Sequence, residues 1–164
     1  MWCRSRGSVF GDLTNYFAID ISRGFLGQTR RNANRQRLAQ ANMQFLPFKD
    51  CSFDAFWCAA SLLHIPKIEM NGVLNEIGRC LKPGSVGFIS LKQGEGEEFV
   101  TNHGQEHLPP RFFAYWQYEE FVEYLTRSNL RVVKFYRKTT PDRANPSKSV
   151  TWLCFFVKNP IYKM

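Results

Sequence analysis

Five cysteines are scattered through the chain, Cys3, Cys51, Cys58, Cys80 and Cys154, and no two form a Cys-x-x-Cys pair. An odd, widely spaced set excludes a disulfide framework and a zinc site of the usual spacing, so no metal is expected and these residues read as small apolar groups in or near a core. Also missing is any run of about 18 apolar residues, and the N-terminus shows no charged stretch followed by an apolar one. The expectations that follow are no membrane association and a cytoplasmic location. Acidic residues are scarce, 14 against 22 Lys and Arg, which leaves a formal charge of +8. No internal repeat or low-complexity tract is found.

What is present suits a packed globule, with 44% hydrophobic residues and 15 Phe in 164 positions. A chain of this length folds as one domain and buries roughly two-thirds of the surface exposed when unfolded. Positive charge is concentrated at Arg23, Arg30, Arg31, Arg35 and Arg37. The cluster reads as a solvated helix face and the loop after it; the alternative is a phosphate-neutralising surface for RNA. Phe112, Phe113, Tyr115 and Trp116 read as core rather than as a base-stacking platform.

The pattern alternates strands and helices. Residues 15–20 form a short buried strand, and Ser22 caps a helix to about Ala33 that turns Phe25 and Leu26 inward. A brief extended segment at 43–48 stops at Pro47 and the Lys49-Asp50 turn. Residues 53–59 are apolar on both faces apart from Asp54, the mark of a strand covered on either side. Pro66 opens a helix whose apolar stripe is Met70, Val73, Leu74, Ile77 and Leu81; Lys82-Pro83-Gly84 ends it, and 86–91 is a strand. A long polar loop follows over 93–111. Then come a helix over 117–128 burying Phe121, Val122 and Leu125, and strands at 131–136 and 150–157 with no helix between them, which suits an antiparallel edge pair.

Three of these segments stand in a telling order: the stretch ending Leu46-Pro47-Phe48, then Ser52-Phe53-Asp54-Ala55-Phe56-Trp57-Cys58-Ala59-Ala60-Ser61-Leu62-Leu63-His64, then Leu81-Lys82-Pro83-Gly84-Ser85. The series resembles the class I S-adenosylmethionine-dependent methyltransferases, of the methyltransferase type 11-like group. The resemblance implies an α/β fold, a Rossmann-like and mainly parallel sheet with helices on both faces and an antiparallel C-terminal hairpin. It covers 16–158 of a single domain spanning 1–164, with 1–15 irregular. The family's first strand, glycine-rich turn and first helix are not recognisable before Asp20. Cys3-Arg4-Ser5-Arg6-Gly7 is the only candidate remnant, so those elements are expected to be lacking and activity of the chain itself is left open.

Methyl transfer from a sulfonium needs an in-line nucleophile and exclusion of water rather than a fixed triad, so the recognisable residues are those that hold the cofactor at the carboxyl ends of strands. By resemblance the cofactor is S-adenosylmethionine. Asp20 would accept from both ribose hydroxyls, with Ile21 beside it. Asn42 and Met43 would meet the adenine, and Cys58 and Ala59 would line the methionine end. His64 is the candidate catalytic group, while Lys92, Gln93 and Glu95 are candidate substrate contacts. Each has a structural alternative: Asp20 as a helix cap, Asn42 as a loop residue satisfying backbone, His64 as a residue bonded at a helix start, the glutamate-rich loop as a solvated surface. The reading is a methyltransferase acting on an unidentified acceptor, a small molecule, with no oligomeric state indicated. The alternatives are a non-catalytic methyltransferase-like interaction module and an RNA-directed methyltransferase.

Overall fold

The structure, a computed structural model, describes residues 17–32, 37–101, 109–142 and 147–160, with the backbone alone at 29–32. The Cys3 to Gly7 stretch lies outside the described residues, as does the rest of 1–16.

The first unit is strand, helix, strand. β1 (Phe17–Asp20) leads through Ser22 into α1 (Arg23–Asn32), and β2 (Arg37–Gln40) returns parallel to β1, with Asp20 opposite Gln40. The Ser22 Oγ accepts from the Phe25 N–H at 3.4 Å, so the expected cap is present. Phe25 is nevertheless 39% exposed, contrary to the expectation that it turns inward. Among the described residues α1 lies against a sheet of two four-residue strands. The extended segment expected at 43–48 is instead a turn closed by the Phe45 N–H on the Asn42 carbonyl at 3.0 Å, and the strand lies earlier, at β2. Its Arg-Leu-Ala-Gln sequence, exposed at both ends, has too little apolar alternation to register as a strand.

The second unit is built on β3 (Phe53–Ala59), α2 (Lys67–Cys80) and β4 (Leu81–Lys92). β3 and β4 are parallel, and α2 is their crossover, burying Met70, Val73, Leu74, Ile77 and Cys80. The helix stops where expected, but Leu81 already pairs with Phe53. The Lys82-Pro83-Gly84-Ser85 stretch is therefore an irregularity inside β4, with Gly84 at φ 83° where a side chain would be strained. β8 (Ser149–Lys158) joins β4 antiparallel, and β7 (Arg131–Pro141) joins β8 antiparallel at the edge, giving the order β3-β4-β8-β7. This is the C-terminal hairpin the sequence implied, longer by several residues.

The supposed loop over 93–111 contains a hairpin, β5 (Glu97–Val100) against β6 (Arg111–Ala114). Glu97, Glu98 and Phe99 are all exposed, so the strand lacks the half-buried alternation that identifies one from sequence. α3 (Tyr118–Arg127) follows, with the Glu120 carboxylate accepting from the Gln117 N–H at 3.4 Å across its first turn.

α2 and α3 lie side by side on one face of the four-stranded sheet. Between them and Ile89, Leu91, Leu153 and Phe155 is the core, where Phe155 packs on Phe121 at 5.2 Å and on Phe135 at 5.0 Å. Trp116 and Phe113 are buried there, as the packing reading required, while Phe112 and Tyr115 are half-buried. The other face carries an aromatic row across all four strands, Trp57 on Phe88 (4.1 Å), Phe88 on Phe156 (5.2 Å) and Phe156 on Tyr136 (6.4 Å). The β1-β2 sheet meets the four-stranded sheet where Phe17 of β1 sits edge-on to Phe48 (5.5 Å) and Phe53 (5.9 Å). Among the described residues no strand is hydrogen-bonded between β1 and β3. No helix among them is long and apolar enough to cross a membrane.

Candidate functional site

Parallel strands place their carboxyl ends along one edge, and open α/β sheets bind ligands there. β1, β2, β3 and β4 bring Asp20, Asn42, Ala59 and Lys92 to such ends.

Asp20 terminates β1 half-buried, and the Ala41 N–H donates to its backbone carbonyl at 3.2 Å, so the chain leaving β2 runs directly beside it. One carboxylate oxygen, Oδ1, accepts from the Ser22 N–H at 2.8 Å, which is the helix-entry role weighed as the alternative. The other, Oδ2, has no partner among the described residues. A carboxylate with one oxygen fixed and one available suits a pair of neighbouring hydroxyls. Gln40 completes this corner, accepting from the Arg23 Nε at 3.0 Å and donating to the Ile21 carbonyl at 3.0 Å. Sequence reasoning missed Gln40 because it missed β2. Ile21 itself is 67% exposed, an apolar side chain open beside the carboxylate.

Asn42 follows β2 by two residues. Its Oδ1 accepts from the Gln44 N–H at 3.0 Å and its Nδ2 donates to Gln44 Oε1 at 3.2 Å, so the amide shapes its own turn. Met43 is partly buried against the core. The turn is fastened to α2: Glu76 Oε2 accepts from the Leu46 N–H at 2.9 Å, and the Arg79 guanidinium donates to the carbonyls of Leu46 (3.0 Å) and Phe48 (2.8 Å), to Asp50 (2.7 Å) and to Glu76 (2.8 Å). The guanidinium hydrogen bonds hold the Glu76 carboxyl below its ordinary range.

At the end of β3 the Cys58 side chain belongs to the core, and burial pushes its thiol up to about 11, so it stays protonated. Only its backbone and that of Ala59 face outward chemistry. Ala60, next in line, adopts φ 53°, a left-handed conformation rare for a residue with a Cβ. The strain is held by its N–H, shared between the Ser90 carbonyl (3.2 Å) and Ser90 Oγ (3.0 Å).

His64 ends a single 3-10 turn (Leu62–His64). Its Nδ1 lies 2.7 Å from the Phe112 carbonyl, which can only accept, so Nδ1 carries the proton and Nε2 is left as a lone-pair acceptor. The ring lies on Phe113 at 4.7 Å. Desolvation, followed by the charges of Arg111 and Lys92, lowers its pKa from the ordinary 6.5, so the imidazole is neutral at pH 7. Lys92 Nζ is 4.4 Å and the Arg111 guanidinium 5.5 Å from the centre of the same Phe113 ring. Arg111 was not singled out from sequence, because it sits at the edge of what read as a loop, and Phe113 was read there only as core.

The remaining candidates are spread out. Gln93 is turned towards α3 and β8, its N–H donating to the Thr151 carbonyl at 2.8 Å and its side chain reaching Gln117 at 3.5 Å. Glu95 is exposed in the turn before β5. Lys92 and Gln93 also line a cavity of about 410 Å³ with Tyr115, Asp142, Ser149, Val150 and Thr151, at the hairpin end of β4 rather than between Asp20 and Asn42. Of the arginine cluster, Arg23 is bound to Gln40, and Arg37 lies over the Phe17 ring at 5.4 Å within β2 rather than in a loop. The side chains of Arg30, Arg31 and Arg35 lie outside the described residues. Among the described residues no group of three His, Cys, Asp or Glu is arranged to hold a metal ion.

Strand order and the parallel pairs β1-β2 and β3-β4 together define an α/β protein with open strand ends along one edge. A family model described as a methyltransferase domain matches residues 4–89, just over half of the chain, and the chain belongs to that family. The match begins ahead of the segment at 16 where the resemblance was drawn. Among curated proteins it is similar to the ubiquinone/menaquinone biosynthesis C-methyltransferase UbiE of Brucella canis, 35% identical over 95 residues covering 54% of this chain and 34% of that protein. The UbiE of Bartonella quintana is 38% identical over 72 residues, 40% of this chain and 27% of that one. The chain thus spans about a third of the length of these relatives. Among solved structures, a SAM-dependent methyltransferase from Methanosarcina mazei superposes with a TM-score of 0.77 at 18% identity, covering 89% of this chain and 82% of that one. The Burkholderia thailandensis 1,6-didemethyltoxoflavin-N1-methyltransferase, solved with 1,6-didemethyltoxoflavin and S-adenosylhomocysteine, gives 0.65 at 19% identity over 88% of this chain and 61% of that one. These likenesses establish the fold.

Proposed function

We propose that this chain is a single S-adenosylmethionine-dependent methyltransferase domain acting on a small-molecule acceptor in the cytoplasm. The reading rests on one observation above others. Asp20 and Asn42 stand at adjoining carboxyl ends of parallel strands, tied by the Ala41 to Asp20 backbone bond of 3.2 Å. Asp20 Oδ2 would take the ribose hydroxyls, the Met43 backbone and the Asn42 turn would border the adenine, and the backbone of 58–60 would run along the methionine end.

Bound S-adenosylmethionine supplies an electrophilic methyl group on a sulfonium. The protein's part is to place an acceptor atom in line with that carbon, and His64, Lys92 and the strained Ala60 turn lie on the side where the acceptor would enter. His64 Nε2, neutral and unprotonated at pH 7, is suited to accept a hydrogen bond or a proton from an acceptor hydroxyl. Lys92, Gln93 and Glu95 are proposed as the outer substrate contacts.

Calorimetric titration with S-adenosylhomocysteine tests the reading. Saturable binding, weakened about tenfold or more by Asp20→Asn, supports it; a folded sample with no heat at millimolar ligand refutes it. A second reading, a non-catalytic methyltransferase-like interaction module, draws on the open edges of β1 and β3 among the described residues. Methylation of any acceptor by the purified chain would exclude it.

A further inference from the structure

Among the described residues, three that carry a Cβ hold a left-handed backbone: Cys51 (φ 51°), Ala60 (φ 53°) and Asn129 (φ 56°). For an alanine such a conformation is disfavoured by roughly five- to thirtyfold. Cys51 lies in an exposed turn before β3, and Asn129 follows the end of α3, where asparagine tolerates the shape. Ala60 is a different case. It stands half-buried just past the carboxyl end of β3, on the proposed ligand edge, with no polar side chain of its own to hold the bend.

The ladder between β3 and β4 runs to Ala59, which faces Ser90, and an extended chain would climb on towards Leu91 and Lys92. The bend at Ala60 takes the chain out of the sheet instead and into the 3-10 turn, whose buried Leu62 and Leu63 lead to His64. What holds the bend is Ser90. Its Oγ lies 3.0 Å and its carbonyl oxygen 3.2 Å from the Ala60 nitrogen, so that one N–H donates to both. Ser90 is 7% exposed and shares its face of β4 with Phe88, where a hydroxyl needs a partner. The carbonyl bond is open to any residue at 90; the hydroxyl bond is not. A glycine at 60 would take this φ without help, whereas the chain has an alanine there and a serine to restrain it.

We propose that Ser90 is a positioning residue of the cofactor site: its hydroxyl locks Ala60 in the left-handed bend, and the bend sets the backbone of 58–60 along the methionine end and carries His64 to its place beside Phe113. The inference rests on the methyltransferase reading for its purpose, while the lock itself does not. Ser90 acts through Ala60 rather than on the ligand. Without the hydroxyl the bent form is a smaller fraction of the folded protein, and nucleoside affinity falls by that fraction. One buried hydrogen bond of ordinary strength corresponds to about fivefold.

The test uses the whole chain, with nuclear magnetic resonance for the bend and calorimetry with S-adenosylhomocysteine for the site. A left-handed residue brings its own N–H and Hα close together, so a strong intraresidue Overhauser effect at Ala60 is expected in the unaltered chain and a weaker one in Ser90→Ala. Well below its thermal midpoint, Ser90→Ala is expected to bind S-adenosylhomocysteine about fivefold more weakly. Ala60→Gly added to Ser90→Ala is expected to restore most of that affinity, because glycine has no Cβ to penalise the bend. A serine that merely supports the sheet gives another pattern: a lower thermal midpoint, with the Overhauser effect and the affinity of the folded sample unchanged. That pattern, or an affinity loss that Ala60→Gly does not recover, overturns the proposal. Should Ser90→Ala not fold, Ser90→Cys, close in size and a weak acceptor, takes its place. If the unaltered chain binds no nucleoside while the change at Ser90 still loosens the bend, the methyltransferase reading falls and the lock stands; nucleoside binding indifferent to Ser90 does the reverse.

Discussion

At Asp20 one carboxylate oxygen holds the Ser22 N–H, and the proposed site gives the other to the ribose hydroxyls. Asp20→Asn keeps an oxygen for the turn and removes the charge. It should therefore leave the thermal midpoint close to that of the unaltered chain while costing nucleoside affinity, and thermal melts run beside calorimetry separate the two effects. The neutral His64 gives a pH dependence with a definite sign. Its folded pKa lies below the ordinary 6.5, so the unfolded chain binds the extra proton first. Its contribution is whole above about pH 6.5 and is lost as pH falls towards the folded value. In denaturant melts between pH 5 and 7, His64→Gln should flatten the acid side of the stability curve; an unchanged slope would contradict the assignment. The place of Asp20 at a strand end was legible because strand, acid and helix follow one another in sequence. Gln40 and Arg111 were not, because their importance comes from what lies opposite them in space.

Helix α2 does more than cross over between β3 and β4. Through Glu76 and Arg79 it fastens the turn over 42–50, whose own residues form no strand. Arg79→Met should lower the thermal midpoint and open that turn to limited proteolysis, with nucleoside affinity falling in step. Lys82→Met, which breaks only an exposed pair, should do neither. The β3-β4 register is sensitive at Gly87, where an added Cβ would lie 1.8 Å from the Phe56 ring. Gly87→Ala should cost about 1–3 kcal/mol in chemical denaturation, and Phe56→Leu in the same background should recover part of it. The helices α2 and α3 were readable from their three-and-four spacing of apolar residues, as was the strand β3 from its apolar run. β2 and β5 were not: Arg-Leu-Ala-Gln and Glu-Glu-Phe-Val are strands on account of their partners rather than their own pattern.

Over the whole molecule the stability lies in the four-stranded sheet and its two helices. Phe155 sits at the centre, touching Phe121, Phe135 and Tyr118, and is fully buried. Phe155→Ala should cost about 3–5 kcal/mol in equilibrium unfolding, more than Phe25→Ala in α1, where the ring is 39% exposed. The proposed ligand edge thus spans a half carrying His64 and Lys92 that packs on this core and, among the described residues, a two-stranded half carrying Asp20. That division was legible in part: the motifs from 52 to 85 announced the first half, whereas β2 of the second did not register as a strand. The most direct test of the account is a map of backbone amide shifts on adding S-adenosylhomocysteine. Saturable shifts concentrated at 20–22, 40–43 and 58–61, the ends of three separate strands, are predicted. Shifts confined to one of these segments, or none at millimolar ligand, would contradict a shared nucleoside site.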